Sequence, residues 1–249
     1  MSLPEVVSRE EWVTARKALL VQEKALTQAL DGVNADRRRL PMVRLEKDYV
    51  LEGPEGEVPL AALFDGRSQL IVRHFMFDPA WDDGCPSCTS AMDEMAPGHF
   101  EHLAARDTSF AAVSRAPIAK IEAYRAKRGW DFAWYSSYGS DFNHDFHVTL
   151  DESVAPLEYN YRTPEEHAAA GTSWYVEGKQ PMERPGLSCF LRVGDDVFHT
   201  YSTYARGDDS LVGSVYGLLD LTALGRQEDW EEPKGRAAGL RGADPDLSR

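Results

Sequence analysis

The sequence predicts an α/β protein in which helices cover a parallel sheet. The stretch SQLIVRHFMF, residues 68–77, is almost continuously apolar, as expected for a strand buried on both faces. The pattern that follows reads helix, strand, helix, strand, and strands joined by crossover helices run parallel. The composition, 43% hydrophobic and 27% charged over 249 residues, is that of an ordinary soluble globular protein.

The N-terminal segment is predicted to be a helical arm, residues 1–40. A helix is expected from Ser8 to Leu30, because Ser8 and Glu11 fit a capping box and apolar side chains recur at helical spacing. Gly32 predicts the end of this helix. We expect the arm to pack on the body of the protein or on a second subunit.

The main domain is expected over residues 41–230, with a mobile charged tail over 231–249. Turn residues and apolar periodicity give its elements. In chain order they are a hairpin around the turn 53–56, a helical turn 61–66, the strand 68–77, a helix 86–105 interrupted by Pro97, a strand 109–115, a helix opened by Pro117, a strand 131–137, a short helix near 164–170, a hairpin joining 187–193 to 197–204, and a terminal helix 210–224.

Charge and hydropathy exclude several classes of function. The net charge is −14, which repels nucleic-acid phosphates and anionic lipid headgroups. We find neither a secretory signal nor an apolar run of the ~20 residues needed to span a bilayer. We therefore expect a cytoplasmic protein that does not bind nucleic acid or membranes. In that reducing compartment a permanent disulfide is not expected, since cytosolic disulfides are usually transient and catalytic.

Two cysteines three positions apart, Cys85 and Cys88, lie in the stretch WDDGCPSCTSAMDEM. Pro86 suits the first position of a helix, so Cys85 is expected at a helix N-terminus, where unpaired N–H groups favour a thiolate. Cys88 would lie one turn further on, buried on the same face. Cys85 could then attack a disulfide and Cys88 resolve it, although the carboxylates of Asp82 and Asp83 disfavour a thiolate.

Two other interpretations of the pair stay open. A metal site would need two more ligands, and there is no second CxxC; His144 and His147 would face opposite ways in an extended chain. The cysteines could also be small buried residues, as expected for Cys189 in its apolar strand. The order strand, CxxC, helix favours the redox pair over both alternatives.

Several stretches together resemble a known family. They are VPLAALFDGRSQLIVRHFMF, GCPSC, SRAP, WYSSYGSDFN and FLRVGDDVFHTYSTYARG, and the resemblance covers about residues 40–230. The sequence is similar to a bacterial family of unassigned function in the thioredoxin-like superfamily, whose members are often described as dithiol-disulfide oxidoreductases. The resemblance implies a thioredoxin-like fold in a peroxiredoxin-like variant, with a central mixed sheet and helices on both faces, here extended by the N-terminal helical arm.

The resemblance also implies a place for the residues that hold a substrate. Thioredoxins carry a cis-proline immediately before the strand that faces the active site. In the matching stretch ERPGLSCFLRVG that place falls on Gly186, with Pro185 one residue earlier. Closer to the cysteines we predict substrate-binding or electrostatic support from Trp81, Pro86 and Ser87.

Polar residues that follow neighbouring strands could share a crevice with Cys85, because ligands collect at the carboxyl ends of parallel strands. Arg115 is the candidate for stabilising a thiolate or binding an acidic substrate, with a salt bridge as the alternative. Ser137 and Asn143 could line the crevice or form turns. Within the strand 68–77, Arg73 and His74 face opposite ways, and we expect an ion pair or exposure at a sheet edge to explain them.

We therefore predict a thiol–disulfide oxidoreductase or peroxide-handling relative whose redox group is the Cys85–Cys88 pair, with no metal and no other cofactor. The substrate is an unidentified thiol or disulfide and the reductant is unidentified. A homodimer through the N-terminal helix is expected. The alternative is a non-catalytic thioredoxin-like module that binds a ligand or partner.

Overall fold

The computed structural model describes residues 4–205, in which the N-terminal arm and the sheet domain belong to separate compact units. The arm is one helix, α1 (Arg9–Arg37). It begins with the predicted capping box, in which the Ser8 N–H donates to the Glu11 carboxylate at 2.9 Å. The prediction that Gly32 ends the helix is wrong. A glycine ends a helix by adopting a left-handed conformation, and here the backbone stays right-handed as far as the cap at Arg38.

An eight-stranded mixed sheet forms the centre of the second unit, in the order β1-β10-β9-β4-β5-β6-β2-β3. The strands are β1 (Val43–Arg44), β2 (Val50–Gly53), β3 (Gly56–Pro59), β4 (Gln69–His74), β5 (Thr108–Ser114), β6 (Trp134–Ser136), β9 (Gly186–Val193) and β10 (Asp196–Tyr204). A separate pair consists of β7 (Thr149–Leu150) and β8 (Met182–Glu183). β4, β5 and β6 run parallel, whereas β9 pairs antiparallel with β4.

Helices follow the strands as the alternation predicts. They are α2 (Pro86–Asp93), α3 (Pro97–Ala104), α4 (Ile118–Arg128), α5 (Phe142–Asp145) and α6 (Pro164–Ala169), with 3-10 turns at Leu60–Phe64 and Ser173–Tyr175. Pro97 splits the predicted helix 86–105 in two, because a proline inside a helix removes a hydrogen bond but suits a first turn. The structure confirms the expected α/β class with a central mixed sheet and helices, and it contains the expected N-terminal helix.

The two faces of β4 point into different apolar clusters. Leu70 and Val72 belong to the cluster that includes Phe142 and Phe190. Phe75 belongs to the cluster on the opposite face, which contains Cys88. The face on which a β4 side chain lies therefore decides whether it can reach the cysteine pair.

Some predictions fall beyond the part of the chain that the structure describes. The helix 210–224 and the tail 231–249 lie outside residues 4–205. Among the helices within 4–205, none combines the length and apolarity that crossing a bilayer requires.

Candidate active site

Cys85 lies at the junction of a loop and a helix. The chain leaves β4, returns through residues 75–84, and enters α2 with Cys85 as the N-cap and Pro86 as the first helical residue. The Cys85 N–H donates to the Met76 carbonyl at 3.0 Å, which fixes the end of the loop against the end of β4. Cys85 is half-buried, and Pro86 and Ser87 are exposed beside it. The predicted placement at a helix N-terminus is confirmed.

The Cys85 sulfur has polar groups of the helix start around it. The Ser87 hydroxyl lies 3.2 Å from this sulfur. Hydrogen bonding with the Cys88 thiol contributes most to lowering the pKa of Cys85 to about 6, the Ser87 hydroxyl and the N–H groups of Ser87 and Cys88 act in the same direction, and burial of the sulfur opposes them. At neutral pH this sulfur is mainly thiolate.

Cys88 is the buried member of the pair, with 1% of its surface exposed. Hydrogen bonding of the Cys88 thiol to Cys85 and burial of the sulfur both raise the pKa of Cys88 well above the ordinary thiol value. Hydrogen bonding from the Met76 N–H opposes this rise, and the Met76 carbonyl accepts from the Cys85 N–H, so the backbone of one residue after β4 acts on both cysteines. The two sulfurs are neighbouring free thiols and are not joined by a disulfide.

The loop that precedes Cys85 is fastened by three cations. Arg115 pairs with Asp78, Lys120 on α4 donates to the carbonyls of Pro79 and Trp81, and Lys127 lies 2.9 Å from a carboxylate oxygen of Asp83. Trp81 presents 39% of its surface to solvent. Since Asp83 is engaged by Lys127, its charge is partly neutralised near the thiolate.

Gly84 is required by the close approach of a ring to the backbone just before Cys85. A Cβ atom at this position would lie 2.5 Å from Cε1 of Phe75. The same kind of contact occurs at Gly186, where a Cβ would lie 2.6 Å from Cδ1 of Tyr204. Glycine therefore lets two aromatic rings pack directly against the backbone at these two positions.

The predicted crevice residues lie in one polar network, and its side chains bond mainly to each other. Ser137 donates to the Asn143 side chain at 2.8 Å, and Asn143 donates to Thr149. Thr149 in turn donates to Glu183, whose other contact is Arg115 at 2.6 Å. Burial raises the pKa of Glu183, whereas the Arg115 charge opposes that rise.

Pro185 directly precedes β9, and Gly186 is the first residue of that strand, paired with His74 of β4. The Pro185 carbonyl accepts a hydrogen bond from the Tyr159 hydroxyl at 2.8 Å. Within residues 4–205 the one cis peptide bond is Gln180–Pro181, so the peptide before Pro185 is trans.

Comparison with known proteins places the chain in a family. Residues 1–242 match the model of a family described as a bacterial protein of unknown function, DUF899. The chain belongs to this family. No curated protein matches it significantly.

Solved structures with a similar course of the chain are redox proteins. Peroxiredoxin Q from Xanthomonas campestris, in a cysteine-to-serine mutant, has 14% identity and a TM-score of 0.43, with 65% of this chain and 83% of that chain covered. Peroxidoxin BcpB from Mycobacterium tuberculosis has 11% identity and a TM-score of 0.41, with 68% and 87% covered. A protein provisionally assigned as the thiol:disulfide interchange protein DsbE, from Chlorobium tepidum, has 14% identity and a TM-score of 0.37, with 69% and 92% covered.

In this DUF899 member, the structure adds residues that sequence reasoning missed. The backbone of Met76 holds both cysteines, and Glu183 and Asp78 both contact Arg115. Arg73 is 2% exposed on a strand with neighbours on both sides, so the expected exposure at a sheet edge is wrong. The sequence signal that could have pointed to Arg73 is a charged residue inside an otherwise apolar strand.

Metal binding finds no support in the described part of the chain. Within residues 4–205, no group of three or more His, Cys, Asp or Glu side chains is arranged to hold an ion. Asp145, between the two histidines of HDFH, pairs with Lys47 at 2.7 Å. Cys189 is a half-buried free thiol, and burial raises its pKa to about 11.

Proposed function

We propose that the protein is a thiol–disulfide oxidoreductase in which Cys85 attacks and Cys88 resolves. The observation that carries this proposal is the placement of a half-buried Cys85 at the start of α2, with the buried Cys88 thiol one turn further along the same helix. This placement gives the two cysteines opposite properties, since Cys85 is an ionised nucleophile at neutral pH and Cys88 stays protonated. A disulfide exchange reaction needs both.

The proposed reaction has two exchange steps. The Cys85 thiolate attacks one sulfur of a substrate disulfide; a bond forms between Cys85 and that sulfur, and the other sulfur leaves as a thiolate. Cys88 then loses its proton and attacks the Cys85 sulfur, which forms the Cys85–Cys88 disulfide and releases the second substrate sulfur. The substrate gains two electrons and the protein loses two, and an external thiol reductant returns the pair to its dithiol form.

Two variants test this assignment in a Cys189→Ser background, which removes the third thiol. Cys88→Ser should accumulate a mixed disulfide between Cys85 and a model disulfide, visible as an added mass on the protein. Cys85→Ser should turn over none of the substrate and melt at nearly the parent temperature, because a half-buried sulfur is replaced by a similar group. The unsubstituted pair provides the reference rate.

The results also distinguish a redox pair from a merely structural one. If both variants melt several degrees low and the parent protein reduces no model disulfide, the cysteines stabilise the fold and the oxidoreductase proposal is refuted. A non-catalytic binding module would then be the better interpretation.

We further propose that the helical arm forms a homodimer. Trp12, Leu19, Leu26 and Val33 recur every seven residues along α1, the spacing of a coiled-coil seam, and each is at least 48% exposed. The double substitution Leu19→Lys, Leu26→Lys should lower the mass measured by analytical sedimentation from that of a dimer to that of a monomer. A monomeric parent protein would refute this association.

A further inference from the structure

Arg73 is a buried cation beneath the helix that carries the cysteines. It lies on β4, where it pairs with Ala112 of β5 on one side and Leu187 of β9 on the other. Both partners belong to the apolar cluster that contains Cys88, and Arg73 shares their face of the sheet. The guanidinium therefore brings a positive charge to the side of the sheet on which Cys88 is packed.

Within residues 4–205, titratable groups reach the surroundings of Cys88 from several elements. Cys85 contacts it from the helix start, Tyr124 reaches the same cluster from α4, and Cys189 lies one strand away on the same face. Arg73 is the group from β4. Of these, Arg73 is the one that carries a positive charge.

We propose that Arg73 stabilises the Cys88 thiolate as it forms, and so drives the second exchange step, the attack of Cys88 on the mixed disulfide at Cys85. This inference rests on the proposed oxidoreductase function. Arg73 touches neither substrate nor the bond that breaks in this scheme. It is a positioning residue that acts through Cys88.

The charge becomes important at the moment when resolution is required. Before any substrate reacts, the Cys88 thiol keeps its proton in hydrogen bonding to the Cys85 thiolate. This hydrogen bonding is the largest cause of the raised pKa of Cys88. Formation of the mixed disulfide converts Cys85 to a neutral sulfur and removes both that hydrogen bond and the like-charge repulsion. Burial alone then opposes ionisation, whereas the Arg73 charge and the Met76 N–H favour it.

The resolving step balances with these groups. Cys88 gives up its proton to solvent or to the departing thiolate, its sulfur bonds to Cys85, and the bond between Cys85 and the substrate sulfur breaks. The electron pair of that bond leaves with the substrate thiolate. The disulfide substrate is the oxidant, so no other co-reactant is needed.

The test separates the two steps with dipyridyl disulfide, an uncharged probe that releases one thiopyridone at each step. The protein carries Cys189→Ser, and Arg73 is compared with Arg73→Met and Arg73→Lys. A one-unit rise in the Cys88 pKa lowers the thiolate fraction about tenfold and raises its intrinsic reactivity about threefold. We expect Arg73→Met to slow the second release about threefold or more at neutral pH, with the first release nearly unchanged.

The pH profile distinguishes charge from packing. For Arg73→Met the midpoint of the second phase should move to higher pH while its plateau is not reduced, and Arg73→Lys should restore the parent midpoint. A second phase in Arg73→Met that matches the parent at every pH overturns the proposal. So does an Arg73→Lys variant that is as slow as Arg73→Met, because then shape and not charge matters.

A measurement on the parent site keeps the proposal testable if Arg73→Met does not fold. Cys88 is more deeply buried than Cys189, so burial alone would place its resolving midpoint above the alkylation midpoint of Cys189, measured in Cys85→Ser, Cys88→Ser protein. We expect it to lie below, and a midpoint at or above that of Cys189 overturns the proposal. A parent protein that releases no second thiopyridone refutes the oxidoreductase function itself, and this inference with it.

Discussion

Cys88→Ala should raise the pKa of Cys85. The substitution removes the thiol that makes the largest contribution to stabilising the Cys85 thiolate, while the Ser87 hydroxyl and the two backbone N–H donors stay in place. The sulfur should therefore become more basic but remain more acidic than an ordinary thiol. Cys88→Ser retains a hydrogen-bond donor, so the pKa of Cys85 in this variant should lie between its values in the parent protein and in Cys88→Ala.

The size of the change follows from the strength of the lost contact. A hydrogen bond to a charged group contributes roughly 1.5–3 kcal/mol, which is equivalent to about one to two pKa units. Starting from about 6, the Cys85 pKa should move to roughly 7–8 in Cys88→Ala. The thiolate fraction at neutral pH would then fall from about nine-tenths to between about one-tenth and one-half.

Alkylation by iodoacetamide across the pH range measures this directly. In Cys88→Ala, Cys189→Ser protein Cys85 is the remaining cysteine, and the midpoint of rate against pH is its pKa. Ser90→Ala, an alanine change on α2 beyond its first turn, provides the matched control. The reasoning is refuted if Cys88→Ala and Ser90→Ala show the same midpoint as the parent, or if the Cys88→Ala midpoint moves down.

Three further predictions concern stability. Gly84→Ala should destabilise the fold by about 1–3 kcal/mol in urea titrations, since its methyl group overlaps the Phe75 ring; a loss below about 0.5 kcal/mol would show that the ring is free to move. Arg115→Met should cost about 3 kcal/mol at neutral pH, because it leaves the Glu183 carboxylate buried without its cation. The loss should be smaller at acidic pH, since burial raises the pKa of Glu183 and a protonated carboxyl needs no cation; an equal loss at both pH values contradicts this. Burial lowers the pKa of His74 from 6.5 to about 3, so the unfolded chain binds a proton at a higher pH than the folded protein does. The free energy of unfolding should therefore fall as the pH drops from 6.5 towards 3. His74→Gln should flatten this dependence, and curves of unfolding free energy against pH that run parallel for the two proteins would refute it.

Much of the fold was predictable because its signals are local. The capping box at Ser8, the proline at position 97 and the apolar run that becomes β4 each depend on neighbouring residues, and each prediction is confirmed. Gly32 misled because a glycine permits a helix end without imposing one. The short pair β7 and β8 was missed, since two-residue strands separated by a long loop leave no periodic pattern.

The candidate site was predictable only in its covalent part. The spacing of Cys85 and Cys88 and the following helix could be read from the chain, because a helix start fixes their relation. The partners that tune them come from a folded loop and distant strands. Glu183 lies 68 positions after Arg115, and the Met76 backbone reaches both cysteine residues only because the loop returns on itself.

The loop ahead of Cys85 is held by contacts with Arg115, Lys120 and Lys127, and these contacts affect how a partner can recognise the protein. A segment anchored at so many points has little freedom to rearrange when electrons enter or leave. If the pair cycles as proposed, its oxidised and reduced forms should therefore differ little in the course of this loop. A partner that discriminates between them must sense the reactivity of sulfur itself, since the outline of the surface stays nearly the same.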